Sequence, residues 1–220
     1  MILVNALRFA SILAIVTIPG WGSVLYSNGP VDGTIGGAPA YDTLSTSDSF
    51  VLSSASTVTG ISNVGVWVLA GDTLTTLSWM VSSASGGTGT IEGSGTNVSP
   101  SNVTELIPTG NYGSGGVFNV YSVDFAGLNL NLAAGTHYLT LYNGVPSTAT
   151  HPVYWDDNGG PSSASIYRNG NFDQSTPSNS FRIDGAASTP EPASLGVFAA
   201  GIAAIVVRRR IRGRRTVHVR

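Results

Sequence analysis

The chain has no cysteine and no lysine, and only 10% of its 220 residues are charged. Without cysteine there is no disulfide, no thiolate metal site and no cysteine nucleophile. Without lysine all positive charge falls to ten arginines, seven of which lie between Arg208 and Arg220. Between Ser23 and Ser188 eleven acids face only Arg168 and Arg182. Such a body is a poor match for a phosphate backbone, which attracts Lys and Arg, so nucleic acid is not an expected partner. Catalytic signatures are missing too. His137 sits on the same side of a strand pattern as Leu139 and Leu141, His151 precedes Pro152, and neither lies in a HExxH or nucleophile-elbow pattern. No pair of carboxylates is singled out for acid–base work, and no enzyme is expected.

What is present is 42% apolar residues, the opposite of a disordered composition. A domain of ~150 residues buries roughly 70% of its extended-chain surface on folding. The apolar residues fall into three regions. Arg8 precedes the run Phe9 to Ile18, and Pro19, Gly20, Trp21 and Gly22 follow. A positive start, a short apolar run and small residues form the order of a secretory signal, with the cut expected after Gly22. The second run, Ala193 to Val207, is uncharged and ends on Arg208, Arg209 and Arg210, with Arg212, Arg214 and Arg215 close behind. As a helix, fifteen residues reach ~22 Å, short of the ~30 Å hydrocarbon core, so the expected anchor is weak and temporary. The arginines mark the cytoplasmic side and leave the body outside.

Directly before that run stand Pro190, Glu191 and Pro192. Two prolines hold the chain extended, and Glu191 precedes a helix N-terminus, where negative charge is favoured. Pro190-Glu191-Pro192, a short apolar helix and a terminal Arg cluster resemble the PEP-CTERM sorting signal. The resemblance implies export in a Gram-negative bacterium, recognition and cleavage by an exosortase, transient anchoring in the inner membrane, and association with the cell surface or extracellular polysaccharide. Three segments of the body, Gly65 to Leu74, Ala134 to Leu141 and Pro152 to Ala164, resemble stretches common in PEP-CTERM exported proteins, and they carry no catalytic residue. The division is then residues 1–22 as signal peptide, 23–187 as the folded domain and 188–220 as the sorting signal.

The body alternates with period two. Phe50 and Leu52, then Leu77, Trp79 and Val81, then Tyr121, Val123 and Phe125, then Leu139 and Leu141, then Phe181 and Ile183 each share one strand face. Val64 to Leu69 is evenly apolar and reads as a central strand anchored by Trp67. Gly71-Asp72, Asn143-Gly144 and Asn169-Gly170 supply turn residues. The expected fold is all-β, a single antiparallel sandwich of eight or more strands, jelly-roll-like. Segment 84–116 has few core residues and reads as a long hairpin or an insertion.

One polar stretch stands out, Tyr154, Trp155, Asp156, Asp157 and Asn158 before Gly159 and Gly160. Hard oxygen ligands in a glycine-rich loop suit a structural Ca²⁺, while a turn capped by its own Asp and Asn needs no ligand. No other cofactor is expected. Trp155, Tyr154, Tyr142, Tyr138 and Tyr112 are either core packing or a platform for sugar rings. The expected function is that of a structural or adhesive surface protein. Its alternatives are a carbohydrate- or calcium-binding module and a permanently anchored protein.

Overall fold

A computed structural model describes residues 23–34, 36–111 and 116–187, the last three residues before 112 by backbone alone. The expected signal peptide, the Pro190-Glu191-Pro192 motif, the anchor helix and the Arg cluster lie outside these residues. Among the described residues no helix is long and apolar enough to cross a membrane.

The described chain is almost entirely strand, as the period-two pattern requires. It runs β1 (Ser23–Ser27), β2 (Gly37–Pro39), β3 (Leu44–Leu52), β4 (Ser56–Leu69), β5 (Leu74–Ser82), β6 (Ile91–Val98), β7 (Asn102–Asn111), β8 (Val117–Leu132), β9 (Gly135–Pro146), β10 (Val153–Arg168), β11 (Asn171–Asn179) and β12 (Arg182–Ala187). A single 3₁₀ turn, Ser85–Gly87, interrupts it. Every pairing is antiparallel.

The strands hydrogen-bond in two ladders. In the first, β1 pairs β12, β12 pairs β4, β4 pairs β8 and β8 pairs β7. In the second, β6, β5, β9 and β3 follow one another, and β3 leads to β10 and β11. Strand β10 belongs to both. Its residues Val153 to Trp155 pair β4 and its residues Ser165 to Arg168 pair β3.

Side chains of the two ladders meet in one core. Trp79 of β5 lies 6.4 Å from Phe125 of β8, and Phe50 of β3 lies 6.0 Å from Tyr26 of β1, ring centre to ring centre. Phe50, Leu52, Leu77, Val81, Leu139 and Leu141 are all buried there, on the faces that alternation assigns. Trp67 is buried, but on the opposite side of β4, in a smaller cluster with Phe118 and Val120. Val31 and Ile107 cover this cluster from outside.

Two local expectations change and one is met. Segment 84–116 is not one hairpin closed on itself over its described part, because β6 folds back on the preceding β5 while β7 pairs the following β8, each strand being one arm of a hairpin with its neighbour. Asn143-Gly144 is a bulge inside β9, not a turn. Ser78 faces Tyr142 and Thr76 faces Val145, so two residues of β5 span three of β9, and Asn143 takes φ 48°. Asn169-Gly170 is the expected tight turn, with both residues at positive φ between β10 and β11.

Candidate functional site

Strand β10 changes ladder between Trp155 and Ser165, where it pairs β2 at Asp156 and β11 at Asp157, Asn158, Ser163 and Ala164. Polar side chains add a second set of bonds there. The stretch Tyr154 to Asn158, read as a loop from sequence, is strand, and four of its five residues are buried. Trp155 fills the main core and donates from Nε1 to the Ser180 carbonyl at 2.8 Å. Tyr154 points the other way and packs edge-on against Tyr41, with ring centres 5.4 Å apart.

Asp156 and Asp157 diverge, as neighbours on a strand must. Asp156 Oδ1 accepts from Trp67 Nε1 at 2.7 Å and from the Gly33 amide at 3.2 Å, and its Oδ2 accepts from the Asp32 amide at 3.1 Å. It thereby pins the segment after β1 over the Trp67 cluster. Asp157 Oδ1 accepts from Asn179 Nδ2 at 2.7 Å, and Oδ2 accepts from Thr176 Oγ1 at 3.3 Å. Asn158 Nδ2 donates to the carbonyls of Asn28 at 2.9 Å and Pro30 at 3.1 Å.

Three residues that sequence reasoning passed over complete this seam. Asn28 Nδ2 donates to Asp48 Oδ2 at 2.8 Å, and the Asn179 amide donates to the same oxygen at 2.7 Å. Asn28, Asp48 and Asn179 are each 0% exposed. Burial pushes the Asp48 carboxyl above the usual range against hydrogen bonds that favour its charge. Burial likewise raises Asp156 to about 6 and Asp157 to about 7, the latter also repelled by Asp156 and Asp48. Nothing local marks Asn28 or Asn179 for this role. Their partners lie far away in the chain.

The oxygens proposed for Ca²⁺ therefore face N–H and O–H donors of the protein, on different sides of β10. Among the described residues no three His, Cys, Asp or Glu side chains gather as a metal-holding group. The five-residue aromatic platform is also not assembled. Trp155 is core, Tyr154 packs inward on Tyr41 and Phe118, and Tyr112 lies outside the described residues. Tyr138 and Tyr142 remain half-buried on the outward side of β9.

The two histidines among the described residues each link separate elements. His137 is buried with Leu139 and Leu141, its Nδ1 2.6 Å from Glu92 and its Nε2 3.0 Å from the Ala133 carbonyl, so it ties β6 to the β8–β9 turn. Asp72, between β4 and β5, gathers the 147–151 loop. Its Oδ1 accepts from Ser147 Oγ at 2.8 Å and Thr148 Oγ1 at 2.6 Å, and its Oδ2 lies 2.5 Å from His151 Nδ1. The hydroxyl of Thr148 and the His151 ring hold this carboxyl down at about 2. A depressed carboxyl stabilises above its unfolded value and loses that contribution as pH falls through the folded one. The loop is expected to stay anchored above about pH 4 and to be released as pH falls towards 2. Amide exchange of residues 147–151 across an acid titration reads this directly, and unchanged protection at pH 2 would contradict it.

Two shallow grooves open on the surface. One, of about 370 Å³, lies along β4, β8 and β12 and holds the Arg182–Asp184 ion pair at 2.9 Å, with Ser62 donating to Asp184. The other, of about 210 Å³, lies on the outward side of the second ladder beside Tyr142.

The last described strand, β12, ends at Ala187. Residues 188–210 match the PEP-CTERM protein-sorting motif. The chain thus carries a PEP-CTERM protein-sorting motif at its C-terminal end, and that motif supports an exported protein sorted through an exosortase. No curated protein and no solved structure matches it.

Proposed function

We propose that the protein is a non-catalytic structural or adhesive component of the cell surface or extracellular polysaccharide matrix, released there after exosortase cleavage near Pro190-Glu191-Pro192. Its body is a two-layered antiparallel sandwich of jelly-roll type. The nested pairing of β3 with β9 and of β4 with β8 supports that winding, because a long ribbon rolled on itself brings first to last. The observation that carries the functional reading is the sorting motif beginning at residue 188, directly after the last strand of an all-β body. The apolar run Ala193 to Val207 holds the precursor in the inner membrane, and the Arg cluster from Arg208 to Arg215 keeps its tail on the cytoplasmic side.

Mass spectrometry of the surface-associated pool tests this. The mature chain is expected to start near Ser23 and to lack every peptide beyond Arg208. Recovery of the Arg-rich terminal peptide from that pool would establish permanent anchoring instead.

A further inference from the structure

We infer that the groove beside Tyr142 is a binding site for a neutral polysaccharide. This deepens the matrix-associated reading and rests on it for its biological meaning, though not for its chemistry.

The outward side of the second ladder is unusual in composition. Register places Ser45 beside Tyr142, Ser47 beside Thr140 and Ser49 beside Tyr138 across β3 and β9. Met80 and Ser78 of β5 lie on the other flank of β9, against Thr140 and Tyr142. The face thus consists of hydroxyls and tyrosine rings. The loop that carries the 3₁₀ turn folds back across it. Gly86 approaches the Tyr167 ring so closely that a Cβ there would sit 2.5 Å from it, and a Cβ on Gly87 would meet Met80 Sδ at 2.9 Å. Both glycines take φ 70°. This loop covers Ser47 and Thr140, which are nearly fully buried although they lie on the outward side. It leaves a walled groove between Gly86, Met80, Thr140, Tyr142 and the start of β3.

A half-buried tyrosine with an apolar ring and a polar tip suits a pyranose, whose C–H face packs on the ring while its hydroxyls bond at the edge. Ser45 both donates and accepts, and Asp42 at the rim accepts only, while the buried Thr140 hydroxyl is committed to Ser47 Oγ at 3.0 Å. The ligand must therefore present many hydroxyl donors. Charge selects further. The groove contains no cation, and residues 23–187 carry eleven acids against two arginines, so an anionic polymer is repelled. A neutral hexose polymer meets both conditions.

The test is affinity electrophoresis of the full chain, purified in mild detergent, in gels containing a neutral glucan, mannan or galactan, with polygalacturonate as the anionic control. At least one neutral polymer is expected to retard the protein, and polygalacturonate is not. Tyr142→Ala is expected to weaken retardation about tenfold or more, as loss of a central aromatic anchor does. Ser45→Arg, which fills the groove without removing a ring, is expected to do the same, and Val103→Ala on exposed β7 changes nothing. Circular dichroism checks that each variant is folded. No retardation by any neutral polymer, equal retardation of wild type and both groove variants, or preference for polygalacturonate would overturn the site. None of these results touches the sorting assignment, which the peptide map decides separately.

Discussion

The protein is expected to melt about 6–12 °C higher at pH 5 than at pH 8. The cause is the buried seam. Asp156 and Asp157 titrate at about 6 and about 7 in the fold, mainly because burial penalises their charge, whereas free aspartate titrates near ~3.9. Between about pH 4 and 7 the folded state thus binds more protons than the unfolded one, so stability falls as pH rises through that window. The two groups repel each other and are not independent, and together they account for a change on the order of 3 kcal/mol. Asp72 works in the opposite sense below about pH 4. The stability maximum is therefore expected near pH 4–5. Substitution separates the two aspartates. Asp157→Asn keeps an acceptor for Asn179 Nδ2 and removes the buried charge, so it is expected to raise the pH 8 melting temperature and flatten the profile. Asp156→Asn turns an amide towards the Asp32 N–H, a donor against a donor, and is expected to destabilise at every pH. Melting curves from pH 3 to 9 for the three proteins decide the matter. A wild-type curve that rises from pH 5 to 8 would refute the mechanism.

Asp48→Ala is expected to cost about 4 kcal/mol, the largest single loss from a polar position in the fold. The Asp48 carboxylate accepts from Asn28 Nδ2, from the Asn179 amide and, at 2.7 Å, from the Ser49 amide. Removing it strands the wholly buried Asn179 amide where water has no access and takes one of three acceptors from Asn28 Nδ2. The damage spreads because Asn28 also donates to Ser162 Oγ at 2.7 Å and to the Asn179 carbonyl at 2.8 Å. Asp48→Asn retains one acceptor and is expected to cost less than half as much. Denaturant unfolding reads both variants. A midpoint for Asp48→Ala within error of wild type would mean the seam is solvated and would also remove the basis of the pH prediction.

Alternation made much of the body legible. Wherever a strand has one face towards the core, as with Phe50 and Leu52 around exposed Val51, the pattern is written in consecutive residues. It misleads where a face is covered by something else. Ser78 and Thr140 read as wet, yet both are buried. Asn143-Gly144 has the chemistry of a turn but resolves as a bulge, since both devices need positive φ. The seam was invisible for a different reason. Asn28, Asp48 and Asn179 are 20 to 151 residues apart along the bonds that join them, and an Asp among Ser and Asn neighbours looks like a turn until its partners arrive. The sorting signal is the opposite case, because its information is linear. Proline, glutamate, an apolar run and arginines act in the order in which they are strung.

The pairing of β1 with β12 also fixes where the two ends of the described body lie relative to each other. Ser23 lies opposite Gly185, and its hydroxyl bonds the Gly185 carbonyl at 2.9 Å. The chain therefore enters and leaves the body at one pole. From Ala187 to Pro190 an extended chain reaches only ~10 Å. An enzyme that pulled on the motif would soon load the rim of the sheet, where Ala186 and Ala187 pair with Thr57 and Ser56. The folded body would then act as a stopper on a short cord, and any extra slack would have to come from unzipping those last two rungs.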